Sequence, residues 1–383
     1  MIGQMDGEVK RVALELQPCC GSRSGIGVYT YELAKRLRDG DGMAFHGNLF
    51  NFLGRNDNRI ALEGIDMPIT QRHLFPYGVY RRIWNWAPIS YGMFFPERTD
   101  LTVFFNYVVP PRIKGRVITT VCDMTYLRFP ETMDRRNLKR IREGIDYSVR
   151  RSSRVVTISE FSKREIVELL GVPEEKIRVV PSAPNISEDM AEIEDVKAKF
   201  HIEGPYILYV GNLEPRKNLV RLLEAFGRIK TQAGIPHRLV LAGGRGWNNE
   251  DFDRALAANP CRGEVILTGY VTTAEKNALY QGADAFVFPS LYEGFGIPPL
   301  EAMHWGCPVV AANAASLPEV VSDAAALVDP LDPAAIADGL LRVLEDREYA
   351  NRLREAGRRQ AKKYTWDESA RRLLAVCAEV LNE

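Results

Sequence analysis

The chain has 383 residues, too many for one ordinary hydrophobic core, so two domains are expected. Lys plus Arg and Asp plus Glu are equal at 50 each, which leaves no global field to draw nucleic acid or an anionic membrane. An apolar content of 46% fits a water-soluble globular protein, and six cysteines without a Cys-x-x-Cys pair read as reduced thiols of a cytoplasmic protein.

Strand and helix signals alternate from the start. Residues 12–16 predict a strand and 28–37 a helix, joined through Gly25-Ile26-Gly27. This G-x-G lacks the third glycine of a dinucleotide fingerprint, and Asp39 is a poor candidate for its ribose acid, so a nicotinamide enzyme is not supported. Gly25 and Gly27 are expected to form a tight turn, either purely structural or letting the backbone approach a phosphate. Residues 76–95 hold seven aromatics beside Arg81 and Arg82. Such density usually means core, although Trp and Tyr beside Arg also suit a membrane face or a sugar-stacking groove. Without a sustained amphipathic helix, core packing is the preferred reading.

Further strands are predicted over 101–105, 117–121 and 155–158. Ser159 then caps a helix over 161–170 that Gly171 ends, and a strand over 177–180 stops at Pro181. The polar, acidic stretch 182–203 reads as a linker, giving a first domain over 1–185 and a second over 204–366. The second half restarts with a strand over 206–210 and a helix over 219–229. Strands over 239–242, 265–267, 285–288 and 309–311 alternate with helices, and two helices, 347–363 and 367–381, finish the chain. Such alternation implies parallel sheets covered on both faces, hence an α/β protein with two Rossmann-like domains. No apolar run approaches the ~20 residues that span a bilayer, and no signal-peptide core opens the chain.

The densest chemical signal follows the 285–288 strand. Pro289 stops it, Glu293-Gly294-Phe295-Gly296 forms a loop, and Pro298-Pro299 suits a helix start. Strand, glycine loop and helix mouth together build an anion site. Glu293 and Glu301 bracket it. Carboxylates are poor phosphate ligands but good acceptors for sugar hydroxyls, so the chemistry suggested is a sugar nucleotide. Either glutamate taken alone could be an ordinary solvated acid. Arg216 and Lys217 lie where a loop opens a helix. Adjacent cations are commonly just solvated, but here an Arg fork and a Lys point charge would stabilise a diphosphate leaving group without a metal. Gly243-Gly244-Arg245-Gly246-Trp247 ends a strand and is expected near the nucleotide base. None of the five histidines pairs at metal-ligand spacing, so no metal is expected.

Glu293 and Glu301 resemble the E-x7-E signature of retaining glycosyltransferases, and the surrounding words resemble glycosyltransferase family 4. Gly211-Asn212-Leu213-Glu214-Pro215-Arg216-Lys217-Asn218 and Ser316-Leu317-Pro318-Glu319-Val320 carry the same likeness. Cys122-Asp123-Met124, Phe129-Pro130-Glu131 and Gly25-Ile26-Gly27 echo it more faintly. The resemblance implies a GT-B fold, two Rossmann-like domains facing a cleft, with the terminal helix 367–383 crossing back to the first. It implies Arg216, Lys217, Glu293 and Asp123 as the catalytic set, although Asp123 reads equally well as a strand-end Asx turn or as an acceptor contact. Gly25, Gly27, Gly243, Gly244, Gly294, Phe295, Gly296 and Ile297 would contact the donor, and Glu301 its ribose. No cofactor is implied. The reaction would be front-face transfer with retention, the departing phosphate taking the acceptor proton while domain closure excludes water. The wording resembles bacterial enzymes that move mannose from GDP-mannose onto a saccharide or lipid-linked acceptor in lipopolysaccharide or capsule synthesis. A cytoplasmic protein is expected, with peripheral contact at the inner membrane face through the N-terminal domain left open.

Cys122 departs from that pattern, since many family members carry a His there that meets the sugar near its C6 hydroxyl. A buried core thiol is the plain reading. The sharper one is a pocket suited to a 6-deoxy donor, GDP- or dTDP-linked rhamnose or fucose. A sugar-nucleotide epimerase or hydrolase, or a non-catalytic sugar-nucleotide-binding protein, would share the phosphate site.

Overall fold

The computed structural model describes residues 9–20, 25–40, 42–54, 62–84 and 86–383. The chain divides into two units. One comprises Met1–Met124, Arg135–Ser182 and Trp366–Glu383, and the other Thr125–Asp134 and Ala183–Thr365.

The first unit is built on seven parallel strands, β1 Lys10–Glu15, β2 Met43–Phe50, β3 Ile69–Arg72, β4 Leu101–Phe104, β5 Arg116–Thr120, β6 Arg154–Thr157 and β7 Ile177–Val179, in the order β3-β2-β1-β4-β5-β6-β7. β4 reads Leu-Thr-Val-Phe and is buried throughout, as expected of a parallel strand covered on both faces. Ser159 accepts from the Ser162 amide at 3.0 Å, and Gly171 ends the helix Glu160–Leu170 in the left-handed region at φ 61°. Most of the aromatic stretch packs as core: Tyr77, Tyr80, Tyr91, Phe94 and Phe95 surround Phe50 with ring centroids 5.1–6.5 Å away. Trp86 stays 74% exposed. The terminal helix Trp366–Asn382 belongs to this unit, where Trp366 meets Tyr29 edge to face at 6.0 Å and Ser369 donates to the Pro181 carbonyl at 2.7 Å.

The turn expected at Gly25 and Gly27 is instead the first turn of the helix Gly25–Arg36. Three strands also went unanticipated. In β2 the apolar run is broken by His46, Gly47 and Asn48, β3 is a half-buried edge without an apolar run, and the strand Ala325–Val328 of the second unit is alanine-rich and suggests helix.

The second unit has six parallel strands, β8 Tyr206–Val210, β9 Arg238–Ala242, β10 Val265–Gly269, β11 Ala285–Phe288, β12 Val309–Ala312 and β13 Ala325–Val328, in the order β10-β9-β8-β11-β12-β13. That is the Rossmann order, whose direction reverses between β8 and β11. Residues 125–134 join this unit, with the carbonyls of Glu131 and Thr132 accepting from Asn248 and Trp247. Among the described residues no helix is long and apolar enough to cross a membrane.

Candidate active site

The order of the second sheet reverses between β8 and β11, and open α/β sheets bind ligands at such a reversal, because the loops leaving the two carboxyl ends diverge to opposite sides. The loop after β8 ends in the single turn Pro215–Lys217 and then Asn218, held left-handed at φ 61°. Asn is among the few non-glycine residues that adopt this conformation readily. Its buried side-chain amide donates to the carbonyls of Pro289, 3.0 Å, and Pro330, 2.7 Å, which ties this loop to the end of β11.

The tie brings cations against a carboxylate. Lys217 Nζ lies 2.6 Å from Glu293 Oε1, and the Arg216 guanidinium 2.8 Å from Glu293 Oε2. Arg216 also reaches Glu214 at 3.1 Å and donates to the Tyr292 carbonyl. Burial alone would push the Glu293 carboxyl up, but Arg216 and Lys217 outweigh it and hold the group at about 2. Glu293 is therefore a carboxylate at neutral pH. It keeps both cations at the crevice, where an entering anion would meet them.

From Glu293 the chain runs through Gly294 and Phe295 to Gly296, at φ 116°. A Cβ on Gly296 would sit 2.6 Å from Leu317 Cδ2, so only glycine fits. Buried Ser316 places its hydroxyl 2.8 Å from the carbonyls of both Glu293 and Phe295, clasping the loop from below. The helix Ile297–His304 follows with prolines in its first turn. Pro298 and Pro299 have no N–H, so the amides at this helix mouth come from the glycine loop and Ile297. One turn in, Glu301 is 5% exposed and accepts from Lys276 Nζ at 2.6 Å and from the Tyr280 hydroxyl at 3.1 Å. A carboxylate offers about four acceptor positions, so two remain for a diol.

Gly243 and Gly244 follow β9. A Cβ on Gly243 would stand 2.1 Å from the Gly211 carbonyl oxygen, so glycine is needed there for two loops to pack. Gly244 accepts from the Leu213 amide at 2.9 Å. Asp123 and Cys122 lie in the first unit, just past β5. The Tyr107 hydroxyl donates to Asp123 at 3.1 Å, and Cys122 is buried, its thiol pushed well up by that burial. Arg216, Lys217 and Glu293 are thus in direct contact, with Gly294, Phe295, Gly296, Ile297 and Glu301 along the same loop and helix. Asp123, Gly25 and Gly27 belong to the other unit.

Sequence reasoning gave no role to Asn218, Ser316, Lys276 or Tyr280. Lys276 and Tyr280 carried a usable signal, since residues four apart on a helix share a face. Ser316 and Asn218 stand in the words that carry the family likeness, but they act through backbone carbonyls remote in sequence, and those words do not reveal the contacts.

Residues 23–188 match the family model for Glycosyltransferase Family 4, and residues 191–360 match that for Glycosyl transferases group 1. The chain is 30% identical to the O-antigen chain mannosyltransferase B of Escherichia coli over 374 residues, 93% of this chain and 96% of that protein. It is also 30% identical over 231 residues to a serotype-specific mannosyltransferase WbdA of Escherichia coli, across 57% of this chain and 28% of that one. In fold it is similar to a sucrose-phosphate synthase from Thermosynechococcus elongatus, with a TM-score of 0.75 at 18% identity, covering 97% of this chain and 99% of that one.

Proposed function

Because the chain belongs to glycosyltransferase family 4 and is a glycosyltransferase of the GT-B fold, we propose that it moves mannose from GDP-mannose, with retention, onto a hydroxyl of a saccharide or lipid-linked acceptor in O-antigen or capsule synthesis. The observation that carries the reading is the Arg216–Lys217–Glu293 cluster at the β8/β11 reversal. As the glycosidic bond breaks, negative charge grows on the leaving diphosphate. Arg216 and Lys217 are preorganised to meet it, and the loop amides of residues 294–297 add further donors. The departing phosphate oxygen takes the acceptor proton on the same face, which preserves configuration. Glu293 and the remaining acceptor positions of Glu301 suit sugar and ribose hydroxyls. With cations in place for the charge, no metal is required, and turnover is expected to survive EDTA.

Thermal shift against UDP, GDP, dTDP and ADP, each with and without its sugars, tests the donor. Selective stabilisation by GDP and GDP-mannose is expected, and selection of another nucleotide would discard it. A product of inverted anomeric configuration, read by NMR, would discard retention. The 6-deoxy alternative rests on Cys122, whose burial gives it the packing of a small apolar side chain. The same panel with GDP-fucose and dTDP-rhamnose decides it.

A further inference from the structure

The first unit carries a cavity of 870 Å³ that the reading above does not use. It opens beside the helices Tyr77–Ile83 and Arg135–Arg151 and the loop that follows β4. β1 and β4 are neighbours in the first sheet, and the strand order reverses between them, which is where open α/β sheets bind ligands.

Arg81, Arg82, Arg136, Lys139 and Arg140 line the cavity, against one carboxylate, Glu143, among the described lining residues. In a chain of zero net charge this is a concentrated local field. Lys139 pairs with Glu143 at 3.7 Å. Arg81, Arg82 and Arg140 form no ion pair among the described residues. Arg140 is held by neutral amides, Asn106 at 2.9 Å and Asn137 at 2.8 Å, which orient the guanidinium and leave its charge uncancelled. Glu15, the last residue of β1, is 5% exposed, and burial raises its carboxyl to about 8 against the opposing pull of the Gln17 backbone, Arg140 and Arg81. It is thus neutral at pH 7 and does not offset the cluster. The remaining wall is apolar or aromatic, formed by Trp84, Val108, Val109 and Tyr147. The same stretch of chain also carries exposed apolar side chains, with Leu74 91%, Val79 40% and Trp86 74% accessible. Cations beside a greasy wall match one chemistry, a phosphate ester with an apolar tail.

We infer that this cavity binds a phosphate or diphosphate carried on an apolar chain, the membrane-held end of the acceptor. The assignment rests on the transferase reading only in calling that molecule an acceptor.

The test uses the full chain, with binding followed by calorimetry to farnesyl diphosphate, farnesol and inorganic pyrophosphate. Farnesyl diphosphate is expected to bind at least about tenfold more tightly than either fragment, and Arg81→Gln or Arg140→Gln to weaken it about tenfold or more, the scale of one charge-assisted contact. Stabilisation by the nucleotide should be the same in wild type and variants. Should Arg140→Gln lower the melting temperature, the exposed Arg82→Glu carries the same expectation. Equal affinity for farnesol or for pyrophosphate would overturn the assignment. So would variants that bind farnesyl diphosphate unchanged, or binding to phosphatidylglycerol vesicles alone. If the nucleotide fails to stabilise the protein while farnesyl diphosphate still binds, the donor reading falls and the cavity stands.

Discussion

Glu293 shows how one carboxylate serves folding and chemistry together. It is ionised although buried because two cations face it, and the same cations are then available to an anionic leaving group. Lys217→Ala should lower turnover by about 100-fold or more, the scale of one lost oxyanion stabiliser. A steady-state assay showing unchanged turnover would remove Lys217 from the mechanism. Glu293 itself predicts an acid limit. Its folded value of about 2 lies below the usual 4.5, so its contribution is fully present above about pH 4.5 and is lost as pH falls toward 2. The melting-temperature gap between wild type and Glu293→Gln should shrink across that window. Glu15 works in the opposite sense. Its folded value of about 8 lies above 4.5, so the protein loses stability as pH rises from about 4.5 to 8. Glu15→Gln should therefore gain on wild type between pH 5 and pH 8 in paired thermal melts. A gap that stays constant would show that the carboxyl is not protonated in the fold.

At the scale of elements, the glycine loop is the part that sequence conveyed best. A strand stopped by proline, two glycines and a proline-led helix are each local signals, and they occur in the order the structure uses. What holds the loop was not legible, because Ser316 lies 20 residues past Gly296 and meets it only after β12 has crossed the sheet. Ser316→Ala should remove the one hydroxyl proton that the buried Glu293 and Phe295 carbonyls share and destabilise the protein by about 1–3 kcal/mol, measured by denaturant titration. The strands tell a similar story. Continuous apolar runs such as β8 and β11 are readable alone. β2 is not, because the Gly47 position is shaped by contact: a Cβ there would stand 2.4 Å from Leu16 Cδ1. Asn48 in the same strand is buried by its neighbours rather than by any apolar character of its own. Tertiary packing overrides local preference at such positions.

For the molecule as a whole, the alternation of strand and helix conveys parallel sheets, but the strand order within each does not follow from alternation. The terminal helix's own pattern marks only that one face must be buried, and it is the family resemblance that directs it to the first domain. In the structure that face lies on the first unit, where Trp366, Leu373, Val376, Cys377 and Val380 are all buried. Glu379 adds ion pairs to Arg154 at 2.8 Å and Arg178 at 2.5 Å, but these side chains are partly exposed and contribute at most about 1 kcal/mol. Apolar burial decides the matter. Four large side chains at roughly 1.5–3 kcal/mol each amount to about 6–12 kcal/mol, comparable with the whole stability of a domain at about 5–15 kcal/mol. Ending the chain at Thr365 should therefore unfold the first unit and expose Tyr29, which a dye that binds apolar surface would report, while Glu379→Gln should shift melting only slightly. A truncated protein that kept its near-UV dichroism and bound no dye would show that the first sheet is stable without its last helix.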